Sequence, residues 1–247
     1  MQNPYKVDVL VLAAHPDDAE LGAGGTIAKL TNEGKSVAIV DLTEGEMGTR
    51  GSIEIRKEEA ARSAEILGLK YRENLMLPDG YVENDTESQL KVIYAIRKYR
   101  PDLVIMNPEH ERHPDHEAAH SLVRTSMFKA GLQKIETRDN GFKQERHRIR
   151  KMFCFMQSYP FQHNPDFIVD ISETIEEKME SIKAYKSQVF IPGESKEEGL
   201  STRLFRPGFL EDQLARAKYF GSMIGAEYGE AFTSVEPIGL ESIGLLI

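Results

Sequence analysis

The sequence predicts an α/β fold in which a mostly parallel sheet carries helices on both faces. Residues 7–14, 36–42 and 103–106 form short and largely apolar runs, as do parallel strands that are buried on both faces. Segments of helical character separate these runs along the chain. Because consecutive parallel strands need a crossover, this alternation indicates right-handed strand–helix–strand units in a Rossmann-like sheet.

The helices of the first half have recognisable ends. Helices are predicted at about 24–32, 52–67, 87–99 and 116–130. Gly34 and Gly68 follow the first two, and Pro101 lies just beyond the third. Glycine is the preferred residue after a helix, and proline cannot continue one, so these positions fix the helix ends.

The second half is less regular. Residues 131–150 are polar and are predicted as an excursion, 151–157 and 167–171 as strands, and 173–187 and 208–227 as helices. Thr174 and Glu177 have the spacing of a capping box. The segment 188–207 is predicted as a long loop, and loops of this length are usually functional or lie at an interface. Without a repeat or a linker, residues 1–247 are predicted to form one domain.

Composition narrows the class of protein. No apolar run approaches the ~18 residues of a membrane span, and the first residues lack a basic signal-peptide region, so we expect a cytoplasmic protein without a membrane partner. A formal net charge of -9 argues against a nucleic-acid partner. Cys154 is the only cysteine, which excludes an internal disulfide and a thiolate zinc site. Its apolar neighbours favour a core position over a nucleophilic role.

Two clusters of polar residues follow predicted strands. His15-Pro16-Asp17-Asp18 comes directly after the first strand, and His113-Pro114-Asp115-His116 follows the strand at 103–106 by a few residues. Carboxyl ends of parallel strands line the ligand crevice of an open α/β sheet, so the clusters are expected to converge. Imidazole and carboxylate groups in such a place are costly to bury unless they bind a metal or each other.

This donor set points to metal-assisted chemistry. Imidazole and carboxylate suit zinc, iron and other divalent ions. Catalytic zinc sites commonly have three such ligands and an open position, and the metal lowers the pKa of its water to about 7. The remaining carboxylate and histidine can then serve as base and acid or oxyanion stabiliser. Spacing alone leaves open which of Asp17 and Asp18 binds the metal.

The glycines after the first cluster favour helix packing over nucleotide binding. Gly22, Gly24 and Gly25 lack the spacing of a dinucleotide fingerprint, because Ile27 stands where the third glycine belongs and the polar cluster occupies the turn. Close approach of a helix to the sheet explains them better.

The string AAHPDDAELGAGGTIAKL, together with the later HPDH, resembles the LmbE-like (PIG-L) family of zinc N-deacetylases. DLTEGEMGTRGS, EIRKEEAARSAEILGL, RENLMLPDG and GAEYGEAF resemble the branch that deacetylates N-acetylglucosaminyl malate in bacillithiol biosynthesis. The similarity covers most of the chain and is weakest at 131–150 and 188–207. It implies the LmbE-like fold and removal of an acetyl group from an N-acetylglucosamine-containing amide.

The resemblance also assigns roles to residues. It implies one zinc ion per chain, with Fe²⁺ as the alternative, bound by His15, Asp18 and His116. Asp17 becomes the general base, and His113 becomes a second catalytic histidine that Asp115 orients.

Two arginines are assigned to the substrate. Arg56 matches an arginine that stabilises the oxyanion or holds the substrate, and Arg112 stands where a substrate carboxylate could be held. Ordinary surface charges are the alternative interpretation of both.

Two other functions stay open at this point. One is an amidase of the same family that cleaves a bacillithiol-type thiol conjugate. The other is a catalytically silent sugar- or metal-binding protein, against which Asp17 and His113 argue because a binder needs neither. The expected partners are a small amino-sugar substrate and further copies of the chain in a homo-oligomer, with 188–207 as the expected subunit contact.

Overall fold

A seven-stranded sheet organises the computed structural model, which describes residues 3–149, 151–195, 200–240 and 242. The strands are β1 (Val9–Ala13), β2 (Val37–Thr43), β3 (Tyr71–Leu77), β4 (Leu103–Met106), β5 (Arg138–Asp139), β6 (Phe142–Lys143), β7 (Lys151–Phe155), β8 (Phe167–Asp170) and β9 (Gly229–Ser234). The helices are α1 (Asp18–Asn32), α2 (Ile53–Ile66), α3 (Thr86–Tyr99), α4 (Pro114–Ala130), α5 (Ile175–Lys183) and α6 (Phe209–Ile224).

The strand order is β3-β2-β1-β4-β7-β9-β8, and β5 and β6 form a separate hairpin inside the predicted polar excursion. The first five strands of this order run parallel, whereas β9 is antiparallel to both of its neighbours. The predicted α/β fold with a mostly parallel sheet is therefore confirmed.

Both faces of the sheet are covered by helices. Leu10 and Leu12 of β1 pack into one apolar cluster with buried residues of α3 and α4. Val9 and Val11, which point the other way, pack into a second cluster with Ala23 and other residues of α1. Successive side chains of a strand alternate between faces, so an apolar run such as β1 supplies both clusters at once.

Helix α1 begins at Asp18 and not near Gly24, where the sequence placed its start. The glycines that weaken the helical pattern let the helix approach the sheet. An added Cβ would lie 2.2 Å from the Phe155 ring at Gly22 and 2.7 Å from Ile171 at Gly25. The packing interpretation of these glycines is thus confirmed.

Other elements differ from the prediction. Strands β3 and β9 were not predicted, and α5 is shorter than the expected 173–187. The capping box is wrong, because the Thr174 hydroxyl donates to the Gly25 carbonyl at 2.8 Å and makes no side-chain cap. The described part of the 188–207 loop contains no helix or strand, while residues 196–199 lie outside the described residues. That 1–247 form one domain stays a prediction.

Among the described residues, no helix combines the length and apolar character needed to cross a membrane.

Candidate active site

The two polar clusters meet because their strands are neighbours. β1 pairs with β4 in parallel register, so the segments that leave their carboxyl ends emerge side by side. The first segment leads into α1 with Asp17 as N-cap, and the second leads into α4 with His113 as N-cap. Each helix start presents polar side chains at the same edge of the sheet.

Three of these side chains place one atom each at the corners of a small triangle. His15 Nδ1 lies 3.5 Å from Asp18 Oδ2 and 3.3 Å from His116 Nε2, and the last two atoms are 3.3 Å apart. Ligand bonds of ~2.0–2.1 Å in tetrahedral geometry separate the ligand atoms by about 3.3–3.4 Å. All three residues are buried. The residues predicted as metal ligands therefore fit a divalent ion such as zinc or iron.

Two wider groups of potential ligands share His15. In one group, ligand atoms of His15, His113 and His116 lie within 4.8 Å of one another, and in the other Asp79 and Asp115 replace the two histidines. The set with Asp18 is the one predicted from the sequence, and all three of its edges, at 3.3–3.5 Å, fit a single ion.

The carboxylates of Asp79 and Asp115 contact the side of the His15 ring that faces away from the triangle. His15 Nε2 lies 2.9 Å from Asp79 Oδ1 and 3.3 Å from Asp115 Oδ2. The backbone amides of Met47 and Gly80 donate to the same two carboxylates. Contact with His15 lowers the pKa of Asp79 to about 2, although burial alone would raise it. We infer that Nε2 carries the proton and that Nδ1 faces the triangle with its lone pair.

Asp18 is fixed as a carboxylate. Its oxygens accept hydrogen bonds from the His15 backbone amide at 3.0 Å, from Asn107 Nδ2 at 3.3 Å and from the Gln157 side chain. Burial raises the pKa of Asp18, but His116 and His15 outweigh this effect and hold it well below its usual range.

Asp17 has an unusual backbone conformation. Its φ of 113° and ψ of -26° are disfavoured for a residue with a Cβ. Its carboxylate is buried and lies 3.2 Å from Arg56 Nη2. Burial raises the pKa of Asp17 to about 8, against the opposing effect of the Arg56 guanidinium. The carboxylate makes no capping hydrogen bond with α1 and accepts one from Arg56 instead.

Arg56 is not a surface charge of its helix. Only 6% of the residue is exposed, and its guanidinium donates to the carbonyl oxygens of Pro16 at 2.6 Å and Gly45 at 3.1 Å. The surface interpretation is therefore wrong. The predicted contact with oxyanion or substrate stays untested, and the hydrogen bonds found go to protein atoms.

His113 stands beside the triangle. Its ring stacks on His116 at 5.0 Å between centroids and meets the edge of His15 at 4.8 Å. The backbone amide of Asp115 donates to His113 Nδ1 at 3.3 Å, so in the neutral ring Nε2 carries the proton. Burial, together with the charges of His15 and His116, lowers the pKa of His113.

Asp115 contacts His113 through its backbone amide and not through its carboxylate. The Asp115 carboxylate faces His15 and accepts from the backbone amides of Gly80 at 2.7 Å and Val82 at 3.4 Å. Only its backbone amide reaches the His113 ring. These two amides, which follow β3, draw the side chain away from His113.

Arg112 is exposed next to His113. Its guanidinium makes no hydrogen bond or ion pair with any described residue. Its backbone amide donates to Glu111 Oε1, and the Glu111 carboxylate also accepts from the amide of Ser158 at 2.6 Å. A fixed backbone thus presents an unpaired cation beside the candidate site.

Sequence reasoning missed three residues of the site, namely Asp79, Asn107 and Gln157. Asn107 comes directly after β4 and Gln157 shortly after β7, so the rule of strand ends could have identified both. Asp79 was missed because β3, the strand before it, was not predicted.

Known proteins are similar to this chain in sequence and in fold. The sequence model of the PIG-L family, described as GlcNAc-PI de-N-acetylase, matches residues 10–127. A diacetylchitobiose deacetylase of Thermococcus kodakarensis is 34% identical over 94% of this chain and 84% of its own length. A probable N-acetyl-alpha-D-glucosaminyl L-malate deacetylase 2 of Bacillus cereus is 30% identical over 73% of this chain and 83% of its own.

A solved structure has the same fold. A conserved protein of Thermus thermophilus superposes with a TM-score of 0.83 and 37% identity, covering 96% of this chain and 98% of the other. The fold and the polar site together define an α/β enzyme with a candidate metal centre. The chain belongs to the PIG-L (LmbE-like) family and is a deacetylase.

Proposed function

We propose that the chain is a zinc-dependent hydrolase that removes the acetyl group from an N-acetylglucosamine-containing substrate, preferably N-acetyl-α-D-glucosaminyl L-malate. The main support for hydrolase activity is the triangle of His15 Nδ1, Asp18 Oδ2 and His116 Nε2, with edges of 3.3–3.5 Å. Zinc held by these three residues would supply a Lewis acid and lower the pKa of water.

Asp17 and His113 divide the remaining chemistry. The Asp17 carboxylate accepts a proton from the water that attacks the acetyl carbonyl carbon. His113 Nε2–H donates to the oxygen on which negative charge develops, and the Asp115 amide keeps the ring in the required orientation. When the C–N bond breaks, acetate leaves, and Asp17 or His113 delivers the proton that the amine needs. A sugar-binding protein would need neither group.

The position of Arg112 favours a substrate that carries negative charge. Malate adds two carboxylates to the sugar, and a chain of net charge -9 must provide a local cation to bind them. The exposed guanidinium of Arg112, unpaired among the described residues and next to His113, can form charge-assisted hydrogen bonds with a carboxylate. The Bacillus cereus relative is described as a probable deacetylase of this substrate.

Diacetylchitobiose is the second candidate substrate. The Thermococcus relative that bears this name matches 94% of the chain, whereas the malate deacetylase matches 73%. The two candidates differ in charge, since diacetylchitobiose is neutral. The exposed charge of Arg112 supports the malate over the neutral disaccharide.

Acetate release tests both candidates. Zinc-loaded protein is assayed with N-acetylglucosaminyl malate, diacetylchitobiose and plain N-acetylglucosamine, and a bacillithiol-type S-conjugate tests the amidase alternative. We expect kcat/KM to favour the malate over the plain sugar by ~10²-fold, which corresponds to about 3 kcal/mol.

Arg112→Ala should reduce that preference and leave hydrolysis of the plain sugar nearly unchanged. Arg124→Ala, which removes an exposed arginine from α4, the helix that follows Arg112, is the control. Equal rates on all sugars would contradict the malate assignment, and a preference for diacetylchitobiose would replace it. Absence of acetate with every substrate would contradict the deacetylase itself.

A further inference from the structure

Asp17 has the most extreme backbone among the described residues other than glycine with positive φ. The other three, Met76, Arg100 and Asn140, have φ between 45° and 50°, near the ordinary left-handed region, whereas Asp17 has 113°. Such a conformation persists only where the surroundings impose it.

The usual stabiliser of an aspartate at this position is missing. An N-cap aspartate normally accepts a hydrogen bond from the second or third amide of its helix. Asp17 is the N-cap of α1, but its side chain makes no such bond. Its carboxylate points to Arg56 instead.

Arg56 holds Asp17 through two hydrogen bonds from one nitrogen atom. Nη2 donates to Asp17 Oδ2 at 3.2 Å and to the Pro16 carbonyl oxygen at 2.6 Å. The Pro16 carbonyl belongs to the peptide group whose orientation defines φ of Asp17. One planar guanidinium therefore fixes both the side chain and the preceding peptide.

Gly45 fixes the position of the Arg56 guanidinium in two ways. Its carbonyl oxygen accepts from Arg56 Nη1 at 3.1 Å, and its own φ is 69°. A Cβ at this position would lie 1.8 Å from Nη1, so any other residue would displace the guanidinium. The three hydrogen bonds of Arg56 all go to the protein, and its Nε is buried without a partner, so the guanidinium presents little accessible surface to a substrate.

We infer that Arg56 is a positioning residue: it holds Asp17 in the geometry of a general base and does not bind the substrate. The inference rests on the proposed role of Asp17 in hydrolysis. It predicts that loss of Arg56 affects the chemical step and not substrate affinity.

Three variants test the role. Arg56→Ala removes the guanidinium, Arg56→Lys keeps the charge without the planar fork, and Gly45→Ala displaces the guanidinium without removing it. Each should lower kcat by ~10²-fold, as a misplacement of about 1 Å can, while KM and metal content stay near wild type. Added guanidinium ion should partly restore kcat of Arg56→Ala but not of Asp17→Asn.

Two matched controls separate this effect from general damage. Arg62→Ala removes an exposed arginine of the same helix α2, and Gly34→Ala adds a Cβ at φ 79° where no atom lies within 4 Å. Both should keep wild-type kcat.

Two kinetic results would overturn the inference. A rise in KM at unchanged kcat would make Arg56 a substrate ligand, and a fall in kcat that guanidinium never restores would indicate a merely structural role.

A crystal structure of Arg56→Ala provides a readout that does not depend on activity. Relaxation of Asp17 from its φ of 113° is expected, and retention of that conformation would contradict the inference even if the proposed deacetylase activity itself were absent.

Discussion

His15 Nε2 lies 2.9 Å from Asp79 Oδ1, on the opposite side of the ring from the atom that faces Asp18 and His116. This contact joins the loop after β3 to the candidate metal centre, although none of the three predicted ligands comes from that loop. A carboxylate behind a ligating imidazole fixes the tautomer and the orientation of the ring and raises its basicity.

Loss of the Asp79 carboxylate should therefore weaken metal binding. Asp79→Ala is expected to reduce zinc affinity ~10–100-fold, because His15 loses the acceptor that orients it. Competition with a chromophoric chelator measures the affinity. Asp102→Ala, which removes an exposed aspartate that pairs with Lys6, is the control and should leave the affinity unchanged. Wild-type affinity in Asp79→Ala would show that the ring does not depend on this contact.

The two aspartates of the first cluster should separate metal binding from catalysis. Asp17→Asn should keep the metal and lose activity by ~10²-fold or more, because it removes proton transfer, and His113→Ala should do the same by removing the donor to the oxyanion. Asp18→Asn and His116→Ala should instead lose the metal. Metal analysis and acetate release on the same preparations check this. A metal-free Asp17→Asn with a metal-loaded Asp18→Asn would reverse the assignment.

Lys178 stabilises the first turn of α1, which directly follows the site residue Asp17. It is buried, and Nζ donates to the carbonyl oxygens of Glu20 and Leu21 in α1 and pairs with Glu230. Lys178→Ala should lower the free energy of unfolding by ~3–5 kcal/mol, because it leaves a buried carboxylate without its cation. Urea unfolding measures the change. Lys183→Ala on the exposed side of α5 should cost far less, and equal losses would contradict this role of Lys178.

Cys154 should be chemically silent in the folded protein. Only 3% of the residue is exposed, and burial raises the pKa of its thiol from 9.0 to about 12. Because the thiolate is the reactive form, a disulfide reagent such as DTNB should not label the native chain between pH 7 and 9. In urea one thiol per chain should react. Rapid labelling without denaturant would contradict the core position.

The sheet and the convergence of the two clusters could be predicted because both depend on local pattern. β1 and β4 are apolar runs, and each is followed within a few residues by histidine and aspartate. The rule that parallel strands end at one edge then brings the clusters together. The choice between Asp17 and Asp18 came from family resemblance, and in the structure Asp18, not Asp17, lies in the triangle.

Strands β3 and β9 could not be predicted because each contains charged residues whose partners are distant in sequence. Arg72 of β3 pairs with Asp41 and Glu20, and Glu230 of β9 pairs with Lys178. These ion pairs allow burial where the local pattern indicates exposure.

The role of Asp79 was not predicted, because β3, the strand before it, was not recognised. That the Asp115 carboxylate turns to His15 depends on backbone amides at Gly80 and Val82, which no spacing within the second cluster reveals.

Metal content measured together with activity tests most directly whether His15, Asp18 and His116 form the centre of the reaction. Purified protein should contain about one divalent ion per chain, as expected for a catalytic site with three protein ligands. Strong chelation should abolish acetate release, and added zinc should restore it in proportion up to one equivalent. Full activity in protein shown to be free of metal would contradict the assignment.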